Sequence, residues 1–131
     1  MIDTSSKNQV ASSKIKAFTD LVAWEKGHGL VLNIYKITAH FPQSEQFGLT
    51  SQMRRAAVSI TSNIAEGFSR RTINDKKHFY QMSLGSLTEL QNQLIIARDL
   101  GYFAEYEVIE VSSVELHKII NGLIKSLREN N

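Results

Sequence analysis

The chain has 131 residues, 42% of them hydrophobic, which is one domain's length with enough apolar content for a core. It carries 15 Lys+Arg against 13 Asp+Glu, so the net charge is only +2. That balance excludes a disordered polyelectrolyte and lacks the strong basic excess of a dedicated nucleic-acid binder. With no cysteine, disulfides and thiolate metal sites are ruled out.

Residues 1–15 are polar, Ser-rich and aperiodic, and they predict a flexible tail. A short arm docking on a neighbouring subunit is the alternative. Residues 16–131 form the second unit, a four-helix bundle. The N-terminus lacks the apolar core of a signal peptide. No apolar run reaches the ~20 residues of a membrane span. The expectation is a soluble, cytoplasmic protein with no membrane partner.

From about Asp20 to His40 the apolar residues Leu21, Trp24, Leu30, Val31, Ile34, Tyr35 and Ile37 fall at helical spacing. Asp20 is the expected cap, because its carboxylate can accept from first-turn amides. Gly27 and Gly29 weaken this helix by roughly 1 kcal/mol each relative to alanine and mark an expected close approach to another helix. His40-Phe41-Pro42 ends it, since the residue before proline is pushed out of helical geometry.

The second helix is expected over about Ser44–Phe68. Its stripe is Leu49, Met53, Ala56, Ala57, Ile60, Ile64 and Phe68. Gly67 and Ser69-Arg70-Arg71-Thr72 supply the stop. The third is expected over Asn74–Leu100, with Phe79, Met82, Leu87, Leu90, Leu94, Ala97 and Leu100 as its stripe. Gly85, beside Ser83 and Ser86, would let two helix backbones come close, and Gly101 takes the place of a left-handed C-terminal glycine. The fourth is expected over Glu105–Glu129, packing through Ile109, Leu116, Ile119, Ile120, Leu123, Ile124 and Leu127. Its acids Glu105 and Glu107 come first and Lys125 and Arg128 last, which complements the helix dipole. Four such helices with short connections predict an all-α, antiparallel up-down four-helix bundle.

The small net charge hides an asymmetry. Arg54, Arg55, Arg70, Arg71, Lys76 and Lys77 lie in one stretch with two acids, Glu66 and Asp75. From Asp99 to Glu115 there are five acids and no lysine or arginine. In an up-down bundle Arg70, Arg71, Lys76 and Lys77 share one end with Lys14, Lys16, Lys125 and Arg128. The turn at Gly101 marks the other end as acidic. Arg54 and Arg55, near the start of helix two, belong toward the end away from Arg70. Basic groups at one end are candidates to meet phosphate; the alternative is a solvated basic connection.

Gln52, Arg55, Ser59, Asn63 and Glu66 form a polar line on helix two, and Ser86, Glu89 and Gln93 form one on helix three. These lines suit a hydrogen-bonded seam or a subunit interface, and an Arg55–Glu89 ion pair fits between them. No catalytic pattern emerges. Di-iron bundles need paired Glu-x-x-His motifs, but Glu25-Lys26-Gly27-His28 is a single copy and Glu115-Leu116-His117 has the wrong spacing. The four histidines form no ligand pattern, and there is no Gly-rich phosphate loop. No enzyme activity, metal or cofactor is expected.

Trp24, Ile34-Tyr35, Phe41-Pro42, Glu45, Phe47-Gly48-Leu49, Gln52 and Arg54-Arg55-Ala56-Ala57 make up the first part of a longer pattern. It continues through Ser59-Ile60, Asn63-Ile64-Ala65-Glu66-Gly67, Arg70-Arg71, Phe79, Gly85-Ser86, Glu89-Leu90, Gln93-Leu94 and Leu100-Gly101-Tyr102. Over residues 18–128 this resembles the small bundle proteins encoded in intervening sequences of bacterial 23S ribosomal RNA genes. The resemblance implies a homopentameric four-helix bundle. It also implies kinship with the accessory proteins of diversity-generating retroelements, which form basic pentamers and bind nucleic acid and a reverse transcriptase. The expected function is non-enzymatic binding of RNA or DNA backbone by a homo-oligomer. Arg54, Arg55, Arg70, Arg71, Lys76 and Lys77 are the contact candidates. The alternative is an interaction scaffold that docks a partner such as a reverse transcriptase or a ribosome-associated factor.

Overall fold

A computed structural model describes residues 14–129, with side chains described through Leu127. The expected tail therefore lies outside the described residues except at its end, where Ile15 packs half-buried against the core. Four helices make the fold: α1 (Val22–Thr38), α2 (Leu49–Ser69), α3 (Ile73–Asp99) and α4 (Tyr106–Glu129). Two single 3-10 turns, Phe18–Asp20 and Gln43–Glu45, precede α1 and α2. No strand occurs among the described residues. Each helix packs on the next, and α1 closes against α4, giving the expected antiparallel bundle.

Leu30 and Ile34 of α1, Met53, Ala57, Ile60 and Ile64 of α2, Leu87, Leu90 and Leu94 of α3, and Leu116 and Ile120 of α4 fill the centre. The α3 stripe differs from expectation in its first half and at its C-terminal end. Met82 and Leu100 are exposed, while Tyr80 and Ser83 are buried. The inward positions run 80, 83, 87, 90, 94, 97, alternating steps of three and four. Serine is tolerated there because the Ser83 hydroxyl donates to the Ile60 carbonyl at 2.8 Å. Burial pushes the Tyr80 phenol up to about 12.

Asp20 does not cap α1. Its carboxylate accepts from the Lys16 and Ala17 amides at 3.0 and 3.1 Å and so closes the preceding 3-10 turn. The α2 helix starts at Leu49, not at Ser44, because Gly48 (φ −112, ψ −113) is not helical. Glu45 then reaches forward to accept from the Leu49 amide at 3.1 Å, satisfying a free first-turn donor.

The close approach expected of the first helix is made at Gly27: a Cβ there would lie 2.9 Å from Thr61 Cγ2. Gly29 and Gly85 face open space, and the approach expected around Gly85 is made by its neighbours Ser83 and Ser86, whose hydroxyls meet the Ile60 carbonyl and the Ser59 hydroxyl of α2. The tightest approach of one helix to another is at Gly67, where a Cβ would lie 2.7 Å from the ring of Tyr80. Gly101 adopts φ +76, and a Schellman motif closes α3: the Tyr102 amide bonds Ala97 O and the Gly101 amide bonds Arg98 O.

Candidate nucleic-acid interface

The structure divides the six basic candidates between the two ends of the bundle. Arg54 and Arg55 sit in the second turn of α2, while Arg70 and Arg71 follow its last turn and Lys76 and Lys77 open α3.

Arg54 is a packing residue. Its Nε donates to Thr38 Oγ1 at 2.8 Å, its Nη2 lies 3.4 Å from the Tyr35 carbonyl, and its guanidinium sits 4.5 Å over the Tyr35 ring. It thus neutralises the carbonyl-rich C-terminus of α1. Lys76 does the same for α2: its Nζ donates to the Phe68 carbonyl at 2.7 Å, close to the Gly67 carbonyl, and lies 5.4 Å over the Phe68 ring. Partial burial holds the Lys76 ammonium below its ordinary range.

Arg70 is half committed. It pairs with Glu66 at 2.6 Å and lies 4.5 Å over the Phe79 ring. Arg71 is exposed and Lys77 half-buried, and neither side chain makes a hydrogen bond or ion pair with the described residues. The first helix starts at this same end, preceded by exposed Lys14 and Lys16. The side chain of Arg128, expected here too, lies outside the described residues.

The opposite end is mixed in charge, not uniformly acidic. Asp99, Glu105, Glu107 and Glu110 gather on the α3–α4 side, but Arg98 pairs with Asp99 at 2.9 Å and lies 4.5 Å over the Tyr106 ring. The C-terminus of α1 and the N-terminus of α2 bring Lys36, Arg54 and Arg55 to the same end. A span of acidic sequence does not decide the charge of an end that two other helices also reach.

The polar lines of α2 and α3 do meet. Ser59 and Ser86 hydroxyls lie 2.8 Å apart, and Asn63 Nδ2 donates to Ser59 O and Oγ. The Arg55–Glu89 pair does not form: Glu89 accepts from Gln93 Nε2 at 3.4 Å, and Arg55 is exposed. Gln93 is buried, and its Oε1 accepts no hydrogen bond from the protein.

Among the described residues no three His, Cys, Asp or Glu side chains gather as metal ligands, and no helix is long and apolar enough to cross a membrane. His28 stacks on Trp24 with ring centroids 4.7 Å apart, and His117 Nδ1 bonds Asn121.

Composition and periodicity passed over an exposed apolar set. Phe47 is 88% exposed, Val108 72% and Val111 68%. Phe47 stands outside every helical stripe, in a connection between Glu45 and Gly48, and an aromatic residue there is the signal that sequence offered.

The family described as 23S rRNA-intervening sequence protein matches residues 19–122. A solved structure of a Bacteroides thetaiotaomicron protein, described as of unknown function from the S23 ribosomal protein family, superposes with a TM-score of 0.71. It is 24% identical and covers 79% of this chain and 96% of its own, which supports the fold alone. No curated protein matches. With the family match spanning most of the bundle, this chain belongs to the 23S rRNA-intervening sequence protein family.

Proposed function

We propose that this protein is a non-catalytic bundle that self-associates, into the pentamer the resemblance implies, and binds RNA or DNA backbone through its basic end. The observation that carries the reading is the placement of Arg70, Arg71, Lys76 and Lys77 at one corner, on the end where Lys14 and Lys16 lead into α1. Arg71 and Lys77 are the freest of these, Arg70 shares its charge with Glu66, and Lys76 contributes field more than contact. Cations of this kind neutralise phosphate without reading sequence, and an assembly multiplies the field. The family description refers to a 23S rRNA intervening sequence, which makes structured RNA the first probe.

The test is a salt titration of RNA affinity by fluorescence anisotropy. Two or three phosphate contacts per protomer give a log–log slope of roughly −2 to −3. Arg71→Glu with Lys77→Glu should lower affinity at least tenfold at low salt. Affinity that is indifferent to salt and to this double change would sink the reading. The second reading, a scaffold for a reverse transcriptase or ribosome-associated factor, rests on the exposed acids Glu105 and Glu107. A partner retained after nuclease treatment would favour it.

A further inference from the structure

Self-association needs a contact surface, and two unassigned surfaces of this chain supply one. The first is an open cleft of about 650 Å³ between the C-terminal half of α1 and the N-terminal half of α2. Tyr35, Phe47 and Val58 line it, together with Arg54 and Arg55, and no carboxylate does. Phe47 overhangs it almost fully exposed, and Tyr35 and Val58 are also exposed. The second is the outer face of α4, where Val108, Val111 and Val114 are 72%, 68% and 42% exposed. Between Tyr106 and His117 this helix carries Glu107, Glu110 and Glu115 and no lysine or arginine. One surface is an apolar hollow with two cations; the other is an apolar ridge with three carboxylates. Exposed apolar residues grouped this way mark interaction sites.

Their heights also agree. In an up-down bundle α2 and α4 run in the same direction and start at the same end. The cleft spans the first ten or so residues of α2, and the ridge spans the first ten of α4. A rotation about an axis parallel to the helices, with no shift along it, therefore brings the ridge of one copy to the level of the cleft of the next. Because the two surfaces differ, the contact is head-to-tail, and such a contact makes a ring when its rotation closes without a shift along the axis. Arg55 lies six residues into α2 and Glu115 nine into α4. At 1.5 Å per residue their levels differ by about 4.5 Å, within an arginine's reach.

We propose that the α1–α2 cleft beneath Phe47 receives the valine ridge of α4 from a second copy of this chain, with Arg55 meeting Glu115. The inference rests on the self-association reading. It has a functional corollary: a ring built by rotation alone gathers every Arg70–Lys77 corner on one rim and faces it to the same side.

The experiment is light scattering on the full chain at tens of micromolar, with circular dichroism to confirm folding. Phe47→Glu and Val111→Asp alter exposed side chains and should leave the fold intact while each reduces the assembly to monomer. Arg55→Glu and Glu115→Arg should each weaken assembly tenfold or more, and the double swap should restore most of it. A wild-type monomer would overturn self-association and this inference together. A wild-type assembly that persists in both Phe47→Glu and Val111→Asp would overturn this inference and leave self-association standing. A double swap as impaired as its singles would do the same, whereas wild type that assembles only with another protein bound at Phe47 would overturn both.

Discussion

Gly67→Ala is the substitution on which packing and helix propensity disagree most sharply. Gly67 lies near the end of α2 and is buried. On propensity alone, alanine in place of a helical glycine gains about 1 kcal/mol. The added methyl, however, would sit 2.7 Å from Tyr80 Cε1, 2.8 Å from Tyr80 Cδ1 and 3.1 Å from Phe79 Cβ. Tyr80 is 2% exposed and has no free direction in which to move, and Phe79 Cβ is tied to the α3 backbone. Forcing a methyl into such a contact costs about 2–3 kcal/mol. The net expectation is a loss of about 1–2 kcal/mol, or roughly 4–8 °C in melting temperature for a domain of this size. Gly85→Ala is the control. It is mid-helix and its Cβ would meet nothing within 4 Å, so only the propensity gain remains and melting should rise. Thermal unfolding followed by far-ultraviolet circular dichroism reads both. A melting temperature raised by Gly67→Ala as by Gly85→Ala would show that the seam between α2 and Tyr80 has room for a methyl group and refute this reasoning.

Lys76→Met and Arg54→Met should each cost about 1 kcal/mol, because each removes the cation from a helix C-terminus; unchanged denaturant midpoints would show that those carbonyls are satisfied without it. The bond from Tyr102 Oη to Glu45 Oε2, 2.9 Å long, makes stability depend on pH at both extremes. The Leu49 amide and then the Tyr102 hydroxyl hold the Glu45 carboxyl below its ordinary range, so its contribution is present above that range and is lost as pH falls through the folded value. The bond to Glu45 raises the Tyr102 phenol, so its contribution is present below the ordinary phenol range and is lost as pH rises through the folded value. Melting curves across pH should show Glu45→Gln flattening the acid limb and Tyr102→Phe the alkaline one; limbs as steep as wild type in both variants would contradict this.

The four helices were legible because each presents apolar residues at a three-to-four step long enough to fix its type. The phase of α3 was not. Hydropathy favours Met82 over Ser83, but a serine that donates to the facing helix carbonyl is as acceptable inside as a methyl group. The start of α2 was hidden because Glu45 caps it from four residues upstream instead of beginning the helix itself. The basic residues were easy to count and hard to interpret. Arg54 and Arg55 are neighbours in sequence but about 100° apart around a helix, so one serves the end of α1 and the other faces outward. Nothing in a charge tally separates a cation that caps a helix from one left to meet a ligand; that distinction belongs to the carbonyls of a different segment.

The three-residue connection between α2 and α3 has a kinetic consequence. Ser83 and Ile60 are 23 residues apart in the chain, and Glu45 and Tyr102 are 57 apart. Loop closure over the shorter distance sacrifices less chain entropy, and contacts local in sequence form faster. The α2–α3 hairpin is therefore the natural nucleus, and the Glu45–Tyr102 link, which ties the connection before α2 to the one after α3, is expected to lock last. In pulsed hydrogen exchange, amides of α2 and α3 should gain protection before those of α1 and α4, and the opposite order would place the nucleus elsewhere. The cleft under Phe47 is complete only once α1 has docked on α2, so the proposed association would follow folding and not compete with it.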